Sequence, residues 1–161
     1  SASNGTISAA SMNFTGGAVH FEALVRVPVL GTGATYRVGF GGPTTVLATT
    51  APVKGAYFEF VGAATGQWTY ASKGTATGTG NVGTTFAAAE WVKLKIDVDA
   101  TAGTITFTVD ADTPVVVSTA TQIPVAGDFL CPFAVNVGSA ASSRNIDIDY
   151  ITFSKAFTTN R

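Results

Sequence analysis

Two runs of this chain alternate polar and apolar side chains with a period of two, and that pattern restricts it to a sheet protein. One is Trp91-Val92-Lys93-Leu94-Lys95-Ile96-Asp97-Val98-Asp99; the other is Asn145-Ile146-Asp147-Ile148-Asp149-Tyr150-Ile151-Thr152-Phe153. Successive side chains of a strand point to opposite faces, so each run has one wet face and one buried face. Further strand-like runs recur at the spacing of a sandwich. Residues 21–27 put Phe21, Ala23, Val25 and Val27 on one face, and Pro28 ends the ladder. Tyr36, Val38 and Phe40 follow, closed by Gly41-Gly42-Pro43, then residues 56–61 and the stretch 67–71 around Trp68 and Tyr70. Residues 104–110, 115–117 and 129–137 complete the set, the last with Phe129, Cys131, Phe133, Val135 and Val137 on one side. Ala100-Thr101-Ala102-Gly103 reads as a hairpin loop.

No amphipathic helix of useful length is present; residues 86–90 make barely one turn. So many strands without crossover helices pair mainly antiparallel, giving two packed sheets or a barrel. The parity change at Ile151 and Phe153 indicates a bulge, or a strand covered on both faces. The low-complexity segment 72–85 reads as a long exposed loop. At 161 residues the chain suits one domain with a real core. Charged residues make up 12%, about half the usual ~25%, and the net charge of −1 gives no field for nucleic acid or an anionic membrane. No stretch reaches the ~20 apolar residues that span a bilayer, and no signal peptide opens the chain. The single cysteine, Cys131, excludes an internal disulfide framework and is expected as a buried apolar thiol.

Catalytic chemistry is sparse. Gly78-Thr79-Gly80-Asn81-Val82-Gly83 matches the dinucleotide fingerprint, but that motif works by opening a helix, and here a strand follows. His20 is the only histidine, which excludes His-rich metal sites and disfavours a Ser-His-Asp triad. Three Asp-x-Asp pairs (97/99, 110/112, 147/149) place carboxylates together, either as oxygen ligands for calcium or, the favoured reading, as a solvated sheet face. A hydrolase needs two carboxyls across a sugar, and Glu22, Glu59 and the Asp147/Asp149 pair are the main supply. Trp68 and Tyr70 share a face and have two fates: inter-sheet core, the commoner one, or a platform that stacks on sugar. Trp91 shares its parity with Lys93 and Lys95, so it is either semi-exposed or caps the core edge. Asn4-Gly5-Thr6 and Asn13-Phe14-Thr15 are glycosylation sequons, meaningful only in a eukaryotic secretory chain.

Several segments together resemble one family. They are His20-Phe21-Glu22-Ala23-Leu24-Val25-Arg26-Val27-Pro28, Tyr36-Arg37-Val38-Gly39-Phe40-Gly41, Gly55-Ala56-Tyr57-Phe58-Glu59-Phe60, Glu90-Trp91-Val92-Lys93-Leu94-Lys95-Ile96-Asp97-Val98 and Ile146-Asp147-Ile148-Asp149-Tyr150-Ile151. The chain resembles the concanavalin A-like (lectin/laminin-G-type) jelly-roll domains of tailed-bacteriophage virion proteins, on tail fibres, head fibres or capsid decorations. The resemblance implies an all-β, antiparallel two-sheet β-sandwich over 18–161; residues 1–17, small and polar with a few apolar residues interspersed, read as an N-terminal arm. It further implies a non-enzymatic virion surface module for adhesion or particle assembly, without cofactor, that meets other virion proteins and host glycan, with a homotrimer favoured. Recognition then falls to end loops: residues 75–85 and 41–52, with Trp68, Tyr70, Thr79 and Asn81 as ligand-binding candidates. Ile7, Met12 and Phe14 are the candidates for docking by the arm, whose alternative is a frayed terminus. The other readings are a carbohydrate-binding module of a bacterial surface protein and a glycan hydrolase or lyase on the same fold.

Overall fold

Strands form where apolar residues alternate. In the computed structural model, which describes residues 14, 17–42, 50–125, 128–138 and 144–156, the described strands are β1 (Ala18–Arg26), β2 (Ala34–Gly41), β3 (Gly55–Val61), β4 (Thr69–Lys73), β5 (Thr77–Asn81), β6 (Trp91–Asp99), β7 (Thr104–Val109), β8 (Val115–Val117), β9 (Cys131–Gly138) and β10 (Asp147–Lys155). A short 3-10 turn spans Ala120–Gln122. The first sheet runs β10-β1-β6-β7-β8 and the second β5-β4-β3-β2-β9, with every neighbouring pair antiparallel. This is the two-sheet sandwich, and the barrel alternative falls away.

The core lies between the sheets. From the first come Val19, Phe21, Ala23 and Val25 of β1, Val92, Leu94, Ile96 and Val98 of β6, and Ile105, Phe107 and Val109 of β7. The second sheet answers with Tyr36, Val38 and Phe40, then Ala56, Phe58 and Phe60. Ring contacts join the layers: Phe58 meets Phe107 edge-on at 5.5 Å, and Phe21 meets Phe40 at 5.3 Å. Each such side chain, fully buried, stabilises the fold by about 1.5–3 kcal/mol. The hairpin between β6 and β7 closes as the sequence indicates. Asp99 Oδ1 accepts the N–H groups of Thr101 and Ala102 at 2.9 Å each, and Gly103 takes φ +63°.

The parity change in β10 is a bulge. Leu24 faces Tyr150 and Val25 faces Ile148, so Asp149 is the extra residue that lets Ile148 and Ile151 both pack on the core.

Three expectations are corrected. The low-complexity segment is no long loop, because residues 77–81 form β5, paired with β4. Its inward positions are glycines, Gly78 and Gly80, and a Cβ at Gly80 would stand 2.9 Å from the Tyr70 ring. Phe129 lies before β9 and is 61% exposed, so it does not continue the buried row of Phe133 and Val135. Phe14 is buried against Phe40, with ring centroids 5.5 Å apart, so it belongs to this chain's own core and is no free docking residue of an arm. Ile7 and Met12 lie outside the described residues.

Candidate functional site

Strand parity separates two carboxylates of the sequence reading, Glu22 and Glu59. Glu22 points from the outer face of the first sheet, since Phe21 and Ala23 beside it are core; Glu59 points from the outer face of the second, between Phe58 and Phe60. The whole sandwich separates them, so they cannot flank one glycosidic bond. Glu22 accepts a hydrogen bond from Tyr150 Oη at 2.6 Å, and this bond pushes the Tyr150 phenol up. Glu90 accepts the Ala87 N–H at 2.7 Å and closes the turn before β6.

The Asp-x-Asp pairs hold structure in the same way. Asp97 Oδ1 lies 2.6 Å from His20 Nδ1, and Asp147 binds Arg26 at 2.6 Å. Asp110 accepts the Lys93 N–H, and Asp112 accepts both the N–H and the hydroxyl of Thr84. Asp110 and Asp112 stand in the turn after β7 and not on a strand face. Among the described residues no three His, Cys, Asp or Glu side chains gather as a metal site. Cys131 is buried, which pushes its thiol up.

The four ligand-binding candidates are not brought together. Trp68 is fully buried: it stacks on Phe86 at 5.8 Å and meets Phe60 edge-on at 5.9 Å, leaving no ring face for a sugar. That corrects its reading as a platform. Tyr70 shares the inner face and packs on Phe107 at 5.1 Å. Thr79 and Asn81 point the other way, exposed on the outer face of β5 opposite Ala71 and Thr69.

That outer face of the second sheet holds groups which sequence reasoning missed. Register aligns Arg37 of β2 with Glu59 of β3, and Arg37 Nε donates to Glu59 Oε2 at 2.5 Å. Thr69 of β4 stands opposite Glu59 and donates its hydroxyl to the Glu59 carbonyl at 2.9 Å. Two residues along, Gly39 lies between Tyr57 and Phe133, and over this bare glycine the two rings meet at 5.9 Å. Lys73 Nζ lies 5.7 Å from the centroid of the Tyr57 ring. Ala71 and Val135 complete a second, small apolar cluster with Tyr57 and Phe133, flanked by Ala51.

Burial drives the titration of this face. It pushes the Tyr57 phenol far above the usual tyrosine range, with Glu59 adding to the rise and Arg37 opposing it. It pulls the Lys73 amine below the usual 10.5, with Glu59 opposing and Arg37 assisting. The face therefore offers an amine that gives up its proton early, lying over the buried Tyr57 ring, and exposed hydroxyl and amide groups along β5. The one available signal was the rarity of charge: Arg37, Glu59 and Lys73 interrupt strands that are otherwise apolar or small.

A comparison with models of known families finds no match, and neither does a comparison with curated proteins. Solved structures do match, over nearly the whole chain. An alginate lyase from Pseudomonas aeruginosa superposes with a TM-score of 0.64 at 10% identity, covering 91% of this chain and 68% of that one. The carbohydrate recognition domain of Emp47p gives 0.66 at 11%, covering 96% and 79%. The carbohydrate-binding module CBM66 from Bacillus subtilis gives 0.55 at 14%, covering 95% and 83%. The fold is the concanavalin-like jelly roll.

The expectation of a non-enzymatic module is corrected by the same neighbours. Several structures that share this fold are alginate lyases, so the frame carries glycan cleavage in other proteins. A missing catalytic motif is then no ground for excluding it. The chain spans 68% and 65% of two such lyases. Identities of 9–17% across the neighbours speak to fold alone.

Proposed function

We propose that this domain engages an acidic polysaccharide on the outer face of the second sheet. Lys73 meets its carboxylates, and Thr69, Thr79 and Asn81 meet its hydroxyls. The observation that carries this reading is the Lys73 ammonium held over Tyr57, on a face bordered by the exposed side chains of β5. Fixed cations spend little ordering entropy on a carboxylate, and charge-assisted hydrogen bonds are the strong ones. Structural neighbours that are an alginate lyase and a carbohydrate-binding module support the ligand class, since alginate is a polyuronate.

Calorimetric titration with oligouronates tests it. Lys73→Ala is expected to weaken binding about tenfold, the worth of one charge-assisted hydrogen bond; unchanged affinity would sink the assignment. The pH dependence has a definite sign. Binding needs the ammonium, and the Lys73 pKa is lowered, so affinity falls as pH rises through a window that opens below 10.5. The Tyr57 phenol, raised, stays neutral across that window, so the fall reports Lys73.

A second reading is cleavage by β-elimination, favoured by the lowered proton affinity of Lys73. The neutral amine would take the proton from the carbon beside the uronate carboxylate. The C–O bond to the leaving sugar then breaks, a C=C bond forms, and the departing oxygen takes a proton from water. Ultraviolet absorbance of the unsaturated product during incubation with polyuronate measures this directly. No absorbance after long incubation, with binding intact, leaves recognition without cleavage. As setting we propose the surface of a tailed-phage particle, with the domain as a homotrimer, on the strength of the strand signatures quoted above. Light scattering of the purified chain gives the mass that decides the trimer.

A further inference from the structure

The outer face of the first sheet carries a second cluster, on the far side of the core from Lys73. Register across β6, β1 and β10 sets Arg26 between Trp91 and Asp147. Arg26 Nε and Nη2 both donate to Asp147 Oδ2, at 2.9 and 2.6 Å, and the guanidinium carbon lies 4.9 Å from the Trp91 ring centroid. Asp147 Oδ1 accepts from Asn145 Nδ2 at 3.0 Å. Trp91 is 41% exposed, whereas Trp68, the other tryptophan, is fully buried.

We infer that Trp91, Arg26, Asp147 and Asn145 form a binding site for a neutral hexopyranoside, separate from the acidic-glycan face. The apolar C–H face of a pyranose covers exposed indole, and the hydroxyls around its rim then need donors and acceptors beside the ring. Those groups are present and already ordered. Arg26 commits two of its five N–H donors to Asp147, Asp147 Oδ1 keeps a free lone pair, and the Asn145 amide oxygen is an exposed acceptor. Cation–π contact with Arg26 fixes the indole in place, so little rotamer entropy is lost on binding. Neutrality follows from the ion pair: Arg26 is already satisfied by Asp147, and an anionic sugar would have to approach that carboxylate. The first sheet thus takes an uncharged sugar where the second takes a charged one.

Tryptophan emission of the full chain, titrated with the methyl glycosides of glucose, galactose and mannose, tests the site. Trp68 is sealed in the core, so a saturable change reports Trp91. The expected result is saturation with at least one glycoside, lost in Trp91→Ala and weakened about tenfold in Asn145→Ala. Asn145→Ala leaves the reporter and the Arg26–Asp147 pair in place, so the test survives even if Trp91→Ala folds poorly. Absence of a saturable change up to the solubility of all three glycosides overturns the inference, as does an undiminished response in either variant.

Discussion

Replacing Trp68 by alanine is expected to remove about 3–5 kcal/mol of stability, the cost of emptying a large aromatic site in a core. Trp68 stacks on Phe86 and meets Phe58 and Phe60 edge-on, so it fastens the start of β4 to the turn before β6. The isolated bridge between Gly66 and Phe86 runs beside it, and a Cβ on Gly66 would strike the Phe86 ring at 2.6 Å, so the segment has little room to collapse into the void. The loss is a large part of the ~5–15 kcal/mol that a domain has. Urea unfolding measures it through the midpoint. A change within ~0.5 kcal/mol, as at ordinary surface positions, would return Trp68 to the surface role that its position beside Tyr70 suggested. Trp68→Phe is expected to cost less, because it also deletes an indole N–H that has no hydrogen-bond partner among the described residues.

Gly39→Ala is expected to be nearly as damaging, for a different reason. Gly39 has φ +148°, and a Cβ there would lie 2.6 Å from both the Ala56 carbonyl oxygen and the Tyr57 Cα. Those are backbone atoms of the adjacent strand and cannot swing aside. The backbone conformation alone costs an L-residue about 1–3 kcal/mol, and displacement of β3 adds to that. Gly103→Ala separates the two terms: φ is +63° there, but nothing lies within 4 Å of a Cβ. The Gly39 substitution is expected to lower the unfolding midpoint well beyond the Gly103 one. Equal losses would mean that strain, and not the approach of β3, accounts for the glycine. Gly39 also lets Tyr57 and Phe133 meet, so its substitution is expected to loosen the seat of Lys73 and weaken oligouronate binding in the molecules that still fold.

The contrast between these two residues shows where sequence was readable. Strands such as Trp91–Asp99 announce themselves because alternation is a local pattern, and the pattern matched its boundaries. β5 stayed hidden because its inward positions are glycine, and glycine carries no periodic signal. Trp68 was correctly placed on a face, but which face is core depends on pairing with β3, which is not local. The candidate site was hidden for the same reason. Arg37, Glu59 and Lys73 lie far apart in the chain, and only the β2–β3–β4 register brings them onto one surface. Glu22 and Glu59 read as a possible pair in sequence, and register places them on opposite sides of the core.

The most direct test of the account is a map of backbone amide shifts in the isotope-labelled chain as an oligouronate is added. The account predicts saturable shifts centred on Thr69, Lys73, Thr79 and Asn81 of the second sheet's outer face, with β1, β6 and β10 unmoved. Shifts confined to β1, β6 and β10, or none at all, would contradict it.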